Sequence, residues 1–211
     1  MERLPRGRVI AVDISGPMLA AARETLSGHA DRVTFLRRDL VDLELDGAAN
    51  AVFSTATFHW IRDHDALFRS LFRSLRARGA LQAQCGGEGN LSHFRELAGR
   101  LLHEEPFRPF FAGWQEPWHS EGADQTKQRL LAAGFKDVET WLEPAPTTFK
   151  SASDYAPFVR TVVGRSYLQQ IGEPETGNLL VEMLTEVASE EDPPFTLDYV
   201  RLNLRAISSR T

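Results

Sequence analysis

Apolar positions in the first ninety residues fall into short runs separated by stretches of helical period. Val9–Val12 is continuous and rich in β-branched residues, the pattern of a strand buried on both faces. Ser15 is a good helix N-cap with Pro17 in the first turn. Met18, Leu19, Ala22 and Leu26 then recur at helical spacing as far as Ser27-Gly28. Val33-Thr34-Phe35 alternates as a strand running to Asp39-Leu40, and Ala51–Phe53 is a further buried run ending at Ser54-Thr55. Leu67, Phe68, Leu71, Phe72 and Leu75 predict an amphipathic helix, capped by Asp63 or Asp65 and closed by Gly79. Leu81, Ala83 and Cys85 alternate with Gln82 and Gln84 as another strand. The succession strand, helix, strand, strand, helix, strand predicts parallel βαβ units and an α/β fold.

The second half has a different texture. Residues 87–123 hold an aromatic cluster (Phe107, Phe110, Phe111, Trp114, Trp118) that reads either as an inserted lid or as plain packing. Thr126–Ala133 predicts a helix closed by Gly134, followed by the strand Val138–Leu142. Residues 151–190 read as mostly helical, broken near Gly164 and at Gly172-Glu173-Pro174. In the last strand Val200, Leu202, Leu204 and Ala206 alternate with polar residues, whereas Phe195, Leu197 and Tyr199 lie on the opposite parity. A bulge or strand start near Tyr199 accounts for the switch. One domain spanning residues 1–211, with these two segments as elaborations, is expected.

Composition narrows the classes. The chain has 211 residues, 42% hydrophobic, with a net charge of −5. It shows no concentrated basic run, which disfavours nucleic acid as a partner. No apolar stretch approaches the roughly 18–20 residues of a membrane span, and the N-terminus shows no apolar signal core, so a cytoplasmic location is the default. The single cysteine, Cys85, reads as a small buried hydrophobe, and no Cys/His spacing suggests zinc; no metal is expected.

The chemistry-bearing candidates share one edge. In a doubly wound sheet, ligands bind outside the carboxyl ends of the strands. Asp13, Asp39 and Ser54 each fall at such an end, and His59-Trp60 follows the third of these strands directly. Each also has a plain reading: a turn acid, a packed histidine, a core tryptophan. Cys85-Gly86-Gly87-Glu88-Gly89-Asn90 is glycine-rich, but it follows a late strand and lacks a dinucleotide fingerprint; it reads as a tight turn.

The runs Val12-Asp13-Ile14-Ser15-Gly16-Pro17-Met18-Leu19, Arg38-Asp39-Leu40 and Phe53-Ser54-Thr55-Ala56-Thr57-Phe58-His59-Trp60 resemble class I S-adenosylmethionine-dependent methyltransferases, most closely the trans-aconitate methyltransferase group. The resemblance implies a Rossmann-like methyltransferase sheet with a terminal antiparallel strand pair, matched by Val138–Leu142 and Tyr199–Ile207. It implies S-adenosyl-L-methionine as cofactor and a small-molecule methyl acceptor. Asp13 then corresponds to the acid that holds the ribose hydroxyls. Ile14 and Met18 correspond to apolar contacts beside the adenine, and Asp39, flanked by Leu40, to the acid that accepts from the adenine amino group. Ser54 lies near the methionine part of the cofactor. His59 and Trp60 line the acceptor side, with Trp114 expected there from the aromatic segment.

The family's first strand, its glycine-rich loop and most of a helix precede the position of Asp13, where here only Met1–Gly7 stand. A sheet lacking its first strand, with weak cofactor binding and open edges, is therefore expected. Methyl transfer is an in-line displacement that needs alignment more than acid–base chemistry, so no catalytic residue is assigned. The expected reaction is O-methylation of a carboxylate. A non-catalytic methyltransferase-like protein or partner subunit is the alternative. A nicotinamide-dependent oxidoreductase is disfavoured: Tyr155, Tyr167 and Tyr199 have no lysine four positions on.

Overall fold

Two parallel strand pairs, joined by helices, form the first part of the molecule. The computed structural model describes residues 4–211; Met1–Arg3 lie outside the described residues, and Leu4–Gly7 form no strand. β1 (Val9–Asp13) pairs in parallel with β2 (Val33–Arg37), Asp13 opposite Arg37. The connecting helix α1 (Gly16–Thr25) starts where the sequence predicts, with Ser15 Oγ accepting from the N–H of Met18 at 3.3 Å. β3 (Ala49–Thr55) pairs in parallel with β4 (Leu75–Gly86) through α2 (His64–Ser74), whose N-cap is Asp63.

Gly79 does not close α2. The helix ends at Ser74 because the fully buried Leu75 turns extended and starts β4 at once. Gly79 instead lies in a register irregularity early in β4, where a Cβ would meet Leu75 Cδ2 at 2.9 Å and the Arg76 carbonyl at 3.0 Å.

The remaining strands extend the second pair. The main sheet has the order β3-β4-β8-β5, with β5 (Phe135–Pro144) and β8 (Val200–Ser208) antiparallel to each other and β8 antiparallel to β4. The expected terminal antiparallel pair is therefore present. α4 (Ala123–Ala133) packs on this sheet and ends at Gly134, whose φ of 107° is a left-handed cap. Leu67, Phe68, Leu71 and Leu75 of the α2 region are at most 1% exposed and share one core with Leu81, Ala83, Leu202 and Leu204. Burying each large side chain stabilises the fold by about 1.5–3 kcal/mol.

Helices build a second core beside the first. α3 (Ser92–Leu102), α5 (Ala152–Phe158), α6 (Arg165–Ile171) and α7 (Pro174–Glu190) enclose Phe94, Phe107, Tyr155, Val159, Tyr167 and Leu184. A π-helical turn, Val159–Val163, joins α5 to α6, and Gly164 and Gly172 mark the predicted breaks. Phe107, 0% exposed, belongs to this core rather than to a mobile cover. The parity switch before the last strand is also explained. Thr196–Leu197 is a separate strand, β7, paired with β6 (Thr147–Thr148), and it turns Leu197 and Tyr199 into the helical core before β8 starts.

β1–β2 and the four-stranded sheet are not hydrogen-bonded to each other. Val12 and Val52 pack on the same core, yet Phe53 in β3 is 76% exposed. No helix among the described residues is long and apolar enough to cross a membrane.

Candidate functional site

The carboxyl ends of β1, β2 and β3 carry the polar residues singled out in the sequence. Asp13 closes β1, and its Oδ1 accepts from the Ser15 N–H at 2.7 Å, which fixes the carboxylate and leaves Oδ2 for a ligand. Ile14 and Met18 follow it, 63% and 58% exposed. Two exposed apolar side chains beside a fixed carboxylate suit the flat, half-apolar surface of a nucleoside. Asp39 lies just beyond β2, its Oδ1 accepting from the Val41 N–H at 3.1 Å, and Leu40 packs on the sheet core. Ser54 is half-buried near the end of β3. Asp13, Asp39 and Ser54 thus each stand at or just beyond a strand end, as the sequence places them.

His59 and Trp60 form a helical turn after β3, their rings 5.3 Å apart. The Gly86 N–H at the end of β4 donates to His59 Nδ1 at 3.1 Å. The ring proton must then sit on Nε2. Burial, the charge of Arg201 and the proximity of His64 lower the His59 pKa to about 4, so the ring is neutral near pH 7. Arg201 stacks its guanidinium 4.2 Å over the Tyr199 ring and has no ion-paired carboxylate among the described residues. Cys85 beside them is no nucleophile, since burial pushes its thiol up to about 12.

The aromatic segment splits between two roles. Trp118 meets Trp60 at 5.9 Å and Tyr167 at 6.3 Å. Trp114 packs instead on Phe111 and Tyr167 and lines a cavity of about 410 Å³ with Arg95, His103, Arg108 and Glu116. Glu116 holds this cavity together: it pairs with Arg95 and accepts from the Tyr167 hydroxyl at 2.9 Å. The sequence shows Trp118 only as a member of the aromatic segment and gives Arg201 no role, because their place near His59 depends on contacts across more than fifty residues.

Strand order and the terminal antiparallel pair are those of the α/β methyltransferase fold. Residues 1–79 match the family described as methyltransferase domain. The chain is 28% identical over 199 residues to a trans-aconitate 2-methyltransferase of Acidovorax sp. (strain JS42) and 27% identical over 185 residues to that of Azoarcus sp. (strain BH72). Each alignment covers 83% of this chain, with 72% and 66% of those proteins spanned. A solved structure of the Haemonchus contortus phosphoethanolamine N-methyltransferase 2, in complex with S-adenosyl-L-methionine, matches 97% of this chain and 44% of that one. Its TM-score is 0.55 at 21% identity, a likeness of fold.

Proposed function

We propose that this chain methylates a carboxylate oxygen of a small molecule in the cytoplasm, an acceptor of the kind named in its trans-aconitate 2-methyltransferase relatives. The observation that carries this reading is the His59 tautomer. With Nδ1 occupied by the Gly86 N–H, the ring offers a donor at Nε2 and no free lone pair. A hydroxyl or ammonium acceptor would need a base, whereas a carboxylate is already ionised at neutral pH.

In this reading S-adenosylmethionine supplies a methyl group made electrophilic by its sulfonium. Asp13 Oδ2 would accept from the ribose hydroxyls, Ile14 and Met18 would cover one face of the adenine, and Asp39, beside Leu40, would accept from its amino group. Ser54 lies along the methionine portion. His59 Nε2–H and the Arg201 guanidinium hold the acceptor carboxylate, and Trp60 and Trp118 exclude water. Trp114 acts behind them through Tyr167. A carboxylate acceptor would bring its own negative charge to that methyl group, so no residue would need to take a proton. Alignment in a dry site supplies the acceleration.

β1 and β3 belong to separate sheets, and Phe53 stands exposed in mid-strand; both support a fold in which the family's first strand and glycine-rich loop would lie between them.

The test is a product screen by mass spectrometry with S-adenosylmethionine over carboxylates, phenols and amines. Methyl esters, hydrolysed by mild base, are the expected products. Methylation confined to nitrogen would refute the carboxylate reading.

A further inference from the structure

Three side chains from separate elements converge beneath the acceptor side. His64 opens α2 and is 2% exposed; Glu121, 8% exposed, lies just ahead of α4; His119 is part-exposed on the segment between them. One ligand atom from each lies within 4.8 Å of the other two. Their sequence spacing shows nothing, because the fold alone brings position 64 to positions 119 and 121.

The hydrogen bonding of His64 is the informative feature. Its Nε2 lies 3.0 Å from the Phe58 carbonyl, and a carbonyl only accepts, so Nε2 carries a proton. In the neutral ring Nδ1 then presents a lone pair, 3.2 Å from Glu121 Oε2. Both atoms are buried and neither has a hydrogen-bond partner among the described residues. Two buried acceptors facing each other are costly unless a cation lies between them. The other carboxylate oxygen is engaged differently: His119 Nε2 and Arg129 Nε each lie 3.1 Å from Oε1. Arg129 also pairs with Asp65, so two carboxylates share one guanidinium and the cluster keeps a net negative charge.

We propose that His64, His119 and Glu121 bind a divalent transition metal, zinc in preference. His64 ligates through Nδ1 and Glu121 through Oε2, and the part-exposed side of His119 leaves a coordination position to solvent. Two imidazoles and a carboxylate form a known donor set for zinc, with bonds of about 2.0–2.2 Å. The observed 3.2 Å between Nδ1 and Oε2 matches the roughly 3.3 Å between neighbouring ligands of such a tetrahedral ion. A backbone carbonyl on the far nitrogen of His64 is the usual outer partner of a metal-bound imidazole. The ion would fasten the 116–122 segment to the start of α2. That segment carries Trp118, and the His119 N–H donates to the His59 carbonyl at 2.7 Å. The site therefore positions the acceptor wall and takes no part in methyl transfer.

The experiment uses the full chain, stripped with chelator and titrated with Zn²⁺ and with Co²⁺. Expected are one equivalent of zinc, a rise in Tm, and cobalt absorption bands of a low-coordinate N/O site. His119→Ala and Glu121→Gln should each weaken binding at least about tenfold and abolish the cobalt bands. His119 is part-exposed, so its variant folds even if a His64 variant does not. A wild-type chain that takes up no zinc and shows no Tm shift would overturn the proposal and assign the gap to a proton on His64. Equal zinc uptake by wild type and both variants would overturn it as well, by placing the ion elsewhere. These readouts need no methyl acceptor, so they stand or fall apart from the carboxylate reading.

Discussion

The Gly86 N–H donates to His59 Nδ1 at 3.1 Å, and this bond decides what the histidine can do. It makes the ring a neutral donor held against the end of β4, in place of the general base that a histidine at a ligand edge suggests.

A pH dependence follows from that ring. Its folded pKa, about 4, lies below the ordinary value of 6.5, so the unfolded chain binds more protons between those limits. Stability from this group is full above about pH 6.5 and is lost as pH falls toward 4, a change of about 3 kcal/mol. Urea unfolding of wild type and His59→Gln at pH 7 and pH 4.5 reads it directly. The wild type should lose more stability than the variant on acidification; parallel losses would exclude the group.

Asp13→Ala should weaken S-adenosylhomocysteine binding about 10–100-fold, the loss of about 1.5–3 kcal/mol for a charge-assisted contact. Calorimetric titration measures it, at whatever basal affinity the chain has. Unchanged affinity would take Asp13 out of the cofactor site.

Gly87→Ala places a methyl 2.5 Å from Leu142 Cδ2 and 2.9 Å from Leu202 Cβ. Overpacking of this kind costs about 1–3 kcal/mol. Thermal unfolding should show Tm falling by several degrees, while Gly99→Ala, inside α3 with nothing within 4 Å of the new atom, should raise it slightly.

Ile10 and Phe53 lie on β1 and β3, edge strands of separate sheets, and are 37% and 76% exposed. Such edges promote association, and lysine blunts them. Sedimentation velocity should show concentration-dependent association that Ile10→Lys with Phe53→Lys reduces. A wild-type monomer at all concentrations would show that these edges are protected.

Local signals carried much of this fold. The caps at Ser15 and Asp63, the breaks at Gly164 and Gly172, and the left-handed cap at Gly134 are nearest-neighbour chemistry, so they are legible in the chain. Gly79 misled because a glycine after a helical run signals a C-cap, whereas the packing of Leu75 ended α2 five residues earlier. The site divides in the same way. Asp13, Asp39 and Ser54 stand at strand ends, a position that periodicity reveals. Trp118, Arg201 and the His64–Glu121 pair owe their places to long-range packing, which no local pattern encodes.

Among the described residues β8 is the last strand in sequence and an interior one in the sheet, seated between β4 and β5. While its residues are still within the ribosome, the other two strands have no common neighbour, and the apolar row of Leu81, Ala83 and Cys85 lacks its cover of Leu202 and Leu204. Sheet closure therefore waits on contacts distant in sequence, the slow kind. During that interval the nascent protein presents sticky surface, and a holding chaperone would act on it then.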